Sequence, residues 1–308
     1  MPGKTILVTG ATGAQGGGVA SHLLSSGRYR VRCLTRKPQS ERAADLRRAG
    51  AEVVQGDLED VPSLKAALTG CYGVFGVTNY WEAFEREYLQ GKNLADAVAA
   101  SGVDHFIFSS LPSVTRITHG QLDVPHVEIK AKIEEYSRGL GLPATYVHVA
   151  FYYENFLTYF PPRRLDDGSF VFAFPQGETP LAAVAVEDTG GVVTALFDQG
   201  AEYKGHVVGV AGDEQPCQGY AATMSRVTGE RIAYQDMPRD AFAAPGFPGA
   251  EDLANMFDFF RRFVPSRRAE IEESRMLYPG MRTFETWLAE NQERFRSVLA
   301  ANAGAGAD

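Results

Sequence analysis

Val8-Thr9-Gly10-Ala11-Thr12-Gly13-Ala14-Gln15-Gly16 runs from a short apolar stretch straight into an apolar-periodic one. At a strand-to-helix turn this close to the start of a chain, each glycine has a separate use. Gly10 permits the tight turn, Gly13 lets the backbone approach a pyrophosphate, and Gly16 lets a helix pack closely on a sheet. The free N–H groups and positive dipole end of that helix attract phosphate. Gly10, Ala11, Thr12, Gly13, Ala14, Gln15 and Gly16 are therefore candidate contacts for a dinucleotide. A ligand-free structural turn is the alternative. Gly17 and Gly18 read as flexible extensions without a ligand role.

Twenty residues on, Arg36 and Lys37 stand where an NAD site carries a carboxylate for the ribose 2′-hydroxyl. A guanidinium beside an ammonium instead suits a 2′-phosphate, and so NADP(H). A solvated surface arginine is the bland reading. Asp57 and Leu58 follow the next strand and could flank an adenine, unless Asp57 or Asp60 simply caps a helix. Farther along, His126 and Lys130 are four residues apart and share one helical face. Neither the six histidines nor the three cysteines have metal-ligand spacing, so no metal is expected. No Gly-x-Ser-x-Gly appears, which argues against hydrolysis.

The elements that must carry these residues alternate. Residues 5–8, 29–34, 52–54, 73–77, 105–108 and 145–149 read as strands, separated by helices of which the longest spans 83–100 and the last 127–139. That rhythm predicts an α/β, Rossmann-type doubly wound, mostly parallel sheet, with the ligand along the strand carboxyl ends. After Phe151 it loosens. Residues 1–153 are expected to form an NADP-binding Rossmann domain, and 154–299 a smaller mixed α+β lobe interleaved with it. That lobe includes a strand at 206–210, a helix at 218–227, a strand at 231–234 and a terminal helix at about 283–298. The Ala/Gly-rich tail 300–308 is expected to be disordered.

Composition bounds the function. The 308 residues carry a net charge of −8 with 44% hydrophobic side chains, an ordinary globular balance that disfavours bulk nucleic-acid binding. Residues 1–50 depart from it with nine basic side chains against two acidic ones, a local field suited to a polyanion. No stretch approaches the ~18 apolar residues of a membrane span, so no membrane partner is expected. Three widely spaced cysteines build no disulfide framework, and the apolar run Ile6 to Val8 is too short for a signal peptide. The expectation is a cytoplasmic protein.

Several segments together resemble the NmrA-like branch of the atypical short-chain dehydrogenase/reductases. They are Val8 to Gly17, Thr78-Asn79-Tyr80-Trp81-Glu82, Pro125-His126 with Lys130, and Tyr152-Tyr153-Glu154-Asn155-Phe156. The stretch Gly246-Phe247-Pro248-Gly249-Ala250 with Asp252 to Phe257 belongs with them. The resemblance implies a cofactor lobe plus a smaller lobe, NADP(H) as ligand, and often no turnover. It implies cofactor contacts at Gly10 to Gly16, Arg36, Thr78, Asn79, Tyr80, Lys130, Tyr152, Tyr153, Glu154 and Asn155, with Lys92 a further candidate. It also implies relatives that dimerise or change conformation with cofactor state and act on partner proteins.

Active short-chain reductases place a tyrosine four residues before a lysine, on the helix after the fifth strand. Here that tyrosine is His126, with Lys130 retained and Ser109 and Ser110 at the strand end. A neutral imidazole is a weaker acid, but chemistry survives; His126, Lys130 and Ser109 are the candidate catalytic groups. The literal Tyr88 and Lys92 pair lies on the wrong crossover. Two functions follow: an NADP(H)-responsive redox sensor, or an NADPH-dependent reductase of a small carbonyl, quinone or similar apolar acceptor. Tyr80, Trp81, Phe151, Tyr152, Phe156 and Phe247 would wall the acceptor pocket, or else serve as plain core.

Overall fold

The computed structural model describes residues 3–264 and 266–302. Strand β1 (Lys4–Val8) buries Ile6, Leu7 and Val8 completely, as a parallel strand covered on both faces must. It leads into α1 (Ala14–Ser26), which ends on left-handed Gly27. Then come β2 (Tyr29–Thr35), α2 (Glu41–Arg48), β3 (Glu52–Gln55), α3 (Val61–Leu68) and β4 (Gly73–Gly76). The Ser40 side chain caps α2 by accepting from the Ala43 amide, and Pro62 opens α3.

The long helix expected after β4 is two. Short α4 (Tyr80–Ala83) and α5 (Arg86–Ser101) are separated at Phe84, whose φ of 49° no helix can continue. β5 (His105–Ser110), α6 (Val114–Ile117), α7 (Pro125–Gly139) and β6 (Ala144–Val149) complete the first lobe's own elements.

Beyond these lie β7 (Phe151–Tyr152), β8 (Arg163–Arg164), β9 (Phe170–Phe174), β10 (Leu181–Val184), α8 (Thr189–Gln199), β11 (Val207–Val210), β12 (Asp213–Gln215), α9 (Cys217–Thr228) and β13 (Ile232–Asp236). The helices α10 (Arg239–Ala243), α11 (Ala250–Phe263), α12 (Arg268–Leu277), α13 (Phe284–Glu290) and α14 (Gln292–Asn302) close the described chain. The expected terminal helix is therefore broken at Asn291, and Ala300 to Asn302 are helical rather than tail. The rest of that tail lies outside the described residues.

The central sheet has seven strands in the order β11-β6-β5-β4-β1-β2-β3, every neighbouring pair parallel. The fold is Rossmann-like, and its order reverses between β1 and β4, where a crevice opens. One assignment moves: the strand at 206–210 pairs with β6 and completes this sheet rather than the second lobe. Two three-stranded sheets, β12-β10-β7 and β13-β9-β8, build the smaller lobe. Its core is aromatic, with Phe174 stacked on Phe257 at 4.5 Å and 8°, and Phe156, Phe284 and Trp287 packed around Tyr153 and Tyr220. Each such ring contributes about 1.5–3 kcal/mol on burial.

Gly17 and Gly18 are no flexible extension. Both lie within α1, and a Cβ on Gly18 would meet the Glu187 backbone at 2.8 Å. A Cβ on Gly190 would meet the Gly18 carbonyl at 2.3 Å. Here α1 and α8 touch backbone to backbone.

His105 lies fully buried on β5, edge-on to Phe197 at 5.4 Å. Thr145 Oγ1 donates to the Tyr203 carbonyl, so it accepts the His105 Nε2 proton at 2.8 Å. Nδ1 then keeps a buried lone pair with no partner. A second proton would sit there without an acceptor, and burial pushes the imidazole down from 6.5 to about 4. The unfolded chain therefore binds the extra proton first; stability is full above pH 6.5 and falls as pH drops toward 4. Denaturant titrations of wild type and His105→Gln at pH 7 and 4.5 will measure this. The wild type is expected to lose about 2–3 kcal/mol more than the variant.

Candidate functional site

Gly10 takes φ 61° and turns the chain out of β1. Gly13 occupies the N-cap of α1, with no side-chain cap and no acidic residue in the first turn. A Cβ on Gly16 would lie 2.4 Å from the Gly10 carbonyl oxygen, so only glycine lets the helix start this close to the strand. Thr9 clamps the crevice: its Oγ1 donates to the Val77 carbonyl at 3.1 Å and accepts from the Val77 amide at 2.8 Å. The helix thus presents uncapped amides at the switch point.

A cleft of about 1070 Å³ opens there between the lobes. Ala14, Gln15, Thr78, Asn79, Tyr80 and Ser109 line its first-lobe side. His126, Lys130, Tyr152, Glu154 and Asn155 line it as well, so the cleft gathers half of the candidate residues. Gln15 is buried and its Nε2 has no partner among the described residues. An orphaned donor at the glycine loop fits a phosphate or ribose oxygen. Ala11, Thr12 and Gly13 border a second cavity of about 600 Å³ between α1 and α2, where Arg42 donates to the Thr12 carbonyl at 2.8 Å. In the sequence Arg42 is marked only as one of the nine basic side chains of residues 1–50.

Other candidates lie elsewhere. Arg36, half-exposed at the end of β2, is ion-paired with Glu82 of α4, and that carboxylate raises its pKa further. Lys37 is exposed beside it. Asp57 caps no helix; its Oδ1 accepts from the Glu59 amide at 3.0 Å, and Asp60 holds the N-cap of α3. Leu58 offers its carbonyl to Asn93 at 3.0 Å. Lys92 is outside the cleft, paired with Asp96 at 2.8 Å and lying over the Tyr136 ring. Tyr153 is fully buried and edge-on to Phe284 at 5.2 Å, because the chain leaves β7 there for a 3₁₀ turn that carries it into the second lobe's aromatic core while Tyr152 lines the cleft. Burial raises the phenol pKa of both Tyr152 and Tyr153. Glu154, desolvated and pushed above the usual carboxylate range, accepts from Trp287 Nε1 at 3.1 Å and the Val186 amide at 3.0 Å.

Two polar pairs face the cleft, and each has a partner the sequence did not single out for chemistry. Lys130 is paired with Glu87, fully buried on α5, and also donates to the Thr78 carbonyl at 3.0 Å and Thr78 Oγ1 at 3.3 Å. Thr78 Oγ1 donates in turn to Glu87 at 2.5 Å, leaving one Glu87 oxygen unpartnered. All three ammonium donors of Lys130 are thereby taken. His126 differs. Its backbone amide and Nδ1 both face Asp252 of α11, at 3.1 and 2.5 Å, and among the described residues nothing bonds Nε2. Trp81 lies 5.2 Å from the imidazole at 34°, resting on Gly249 where a Cβ would sit 2.5 Å from the indole. The Gly246 to Ala250 stretch thus explains itself: it seats an indole and starts the helix that carries Asp252.

Among the described residues no cluster of three or more His, Cys, Asp or Glu side chains could hold a metal. No helix there is long and apolar enough to cross a membrane.

Comparison with known proteins follows the geometry. Residues 2–288 match the NmrA-like family. The NmrA-like family domain-containing oxidoreductase hkm9 of Aspergillus hancockii is 35% identical over 278 residues, 83% of each chain. The crystal structure of Nmra, a negative transcriptional regulator, is 26% identical with a TM-score of 0.83, over 97% of this chain and 98% of that one. Its complex with NADP superposes at 0.80 with 24% identity, over 98% of both chains.

The buried pair sets a stability test. Lys130→Met strands the Glu87 carboxylate and is expected to cost about 3–5 kcal/mol, whereas adding Glu87→Gln recovers most of that loss. Urea midpoints of the single and double variants measure both.

Proposed function

The chain belongs to the NmrA-like family, and from that premise we propose that it is an NADP(H)-dependent oxidoreductase acting on a small carbonyl or quinone in the interlobe cleft. The observation that carries this reading is the meeting, in one cleft, of the uncapped start of α1 and a histidine with a free nitrogen. NADP(H) suits the residues present. The amides opening α1 and the orphaned Gln15 amide would hold the diphosphate, and Arg36 with Lys37 would take the 2′-phosphate. Thr78, Asn79, Tyr152 and Asn155 would flank the nicotinamide half. When bound, NADPH supplies a hydride.

The protein's own part is to orient, exclude water and move a proton. Tyr80, Trp81 and Phe247 wall the cleft with apolar rings, which suits a flat acceptor. Lys130 would reach a ribose hydroxyl only by giving up a Thr78 contact, so it serves binding and field more than proton supply. His126 is the group free to exchange a proton with an acceptor.

A second reading, the redox sensor, draws on the Arg36–Glu82 bridge. A 2′-phosphate at Arg36 would displace Glu82 and free α4 beside strained, exposed Phe84. Occupancy by either redox form would thus reach the surface, since both carry the 2′-phosphate; sensing the NADPH/NADP ratio further requires that the two forms bind the two states unequally.

Three measurements test these readings. NADPH with a panel of quinones and aldehydes, followed near 340 nm, is expected to show turnover that His126→Ala abolishes. Tight NADPH binding without turnover, together with a cofactor-dependent elution volume, favours the sensor. Arg36→Ala is expected to weaken NADPH by roughly ten- to a hundredfold and to leave NADH unchanged. Equal weakening of both refutes that assignment.

A further inference from the structure

We propose that Asp252 is a positioning residue that makes His126 the proton donor of the cleft, an inference resting on the reductase reading above. The two residues come from different lobes, α7 and α11, yet they meet through two bonds rather than one. Asp252 Oδ2 accepts from the His126 backbone amide at 3.1 Å, and Oδ1 faces Nδ1 at 2.5 Å. Both side chains are about nine-tenths buried, so little water competes. A carboxylate accepts but does not donate, so Nδ1 must carry a proton there.

That fixes the ring. With Nδ1–H committed to Asp252, Nε2 is the atom that takes up and releases protons. Its direction is held twice over, by the bidentate carboxylate and by the Trp81 ring 5.2 Å away. Lys130 cannot substitute, since Thr78 and Glu87 occupy its donors.

The step balances as follows. The acceptor carbonyl gains a hydride at carbon from NADPH, which leaves as NADP⁺, and gains the Nε2 proton of His126 at oxygen. The C=O π bond breaks, C–H and O–H bonds form, and water returns the proton to Nε2. Asp252 accepts from Nδ1 throughout and holds Nε2 in one direction.

The test uses the full chain with two hydride acceptors. Phenanthrenequinone needs a hydride and a proton, whereas the malachite green cation needs a hydride alone. Asp252→Asn is expected to slow quinone reduction about 10- to 100-fold, with NADPH affinity and dye reduction changed less than twofold. A quinone-only enzyme showing the same loss at unchanged NADPH affinity supports the proposal equally. Equal slowing of both acceptors, or of neither, overturns it and leaves the reductase reading standing. Oxidation of NADPH by neither acceptor in the wild type overturns both together. A second readout needs no turnover: ¹⁵N spectra of the neutral imidazole are expected to show His126 protonated on Nδ1, a preference lost in Asp252→Ala. A wild-type ring protonated on Nε2 overturns the proposal.

Discussion

Helix α1 can occupy its place only because it lacks a Cβ at two points on opposite sides. Gly16 lies against the Gly10 carbonyl, and Gly18 against the backbone at Glu187. Each glycine costs a helix about 1 kcal/mol in propensity, but alanine at either place would push the helix off a backbone neighbour. The first contact fixes the amide end of the helix over the crevice. The second draws α8 and the turn before it onto the first lobe, where Gly190 completes the fit. From that turn Asp188 takes three bonds from Arg282, whose other donors go to Glu187 and Glu290. One helix therefore sets both the ligand end of the site and the seat of the second lobe.

Much of this was legible. The strand–helix rhythm to residue 149 and the glycine spacing follow from local rules, since a buried parallel strand and a tight turn each demand particular residues. The fold was read on that ground, and the family from the resemblance of several segments, Gly246 to Ala250 among them. What escaped depends on partners distant in sequence. Glu87 looks like any helix acid until β4 delivers Thr78 and α7 delivers Lys130 to it. Asp252 looks like a first-turn acid favouring a helix dipole until α11 folds back onto His126, 126 residues away. Gly18 read as slack because its neighbour is 169 residues on. The strand at 207–210 was grouped with the wrong lobe because no local pattern tells which sheet a lone apolar run will join.

The two polar pairs show why charge alone does not name a catalytic group. Lys130 and Glu87 satisfy one another and Thr78 so fully that the ammonium has nothing left to give without exchange. His126 and Asp252 share a similar degree of burial, but a ring with two nitrogens on opposite edges can be anchored and reactive at once. On the reading proposed above, exchange of tyrosine for histidine leaves the site an acid group. Its orienting charge would then come from the second lobe, and proton supply would depend on the lobes staying together.

Arg36 raises the reverse question, since its guanidinium is already answered by Glu82 and sits in the field of Asp57 and Glu59. These acids set a threshold that an anion at Arg36 must exceed. A ribose hydroxyl cannot replace a carboxylate on arginine and would leave the bridge closed. A phosphomonoester carries about −1.5 to −2 charges and three acceptor oxygens, enough to take the guanidinium from Glu82. Exposed on both sides, the bridge contributes little to stability and is cheap to break. The cost of opening the bridge falls on the phosphorylated nucleotide alone, so Glu82 trims the preference that Arg36 creates and leaves the difference between a phosphate and a carboxylate as partners for one guanidinium.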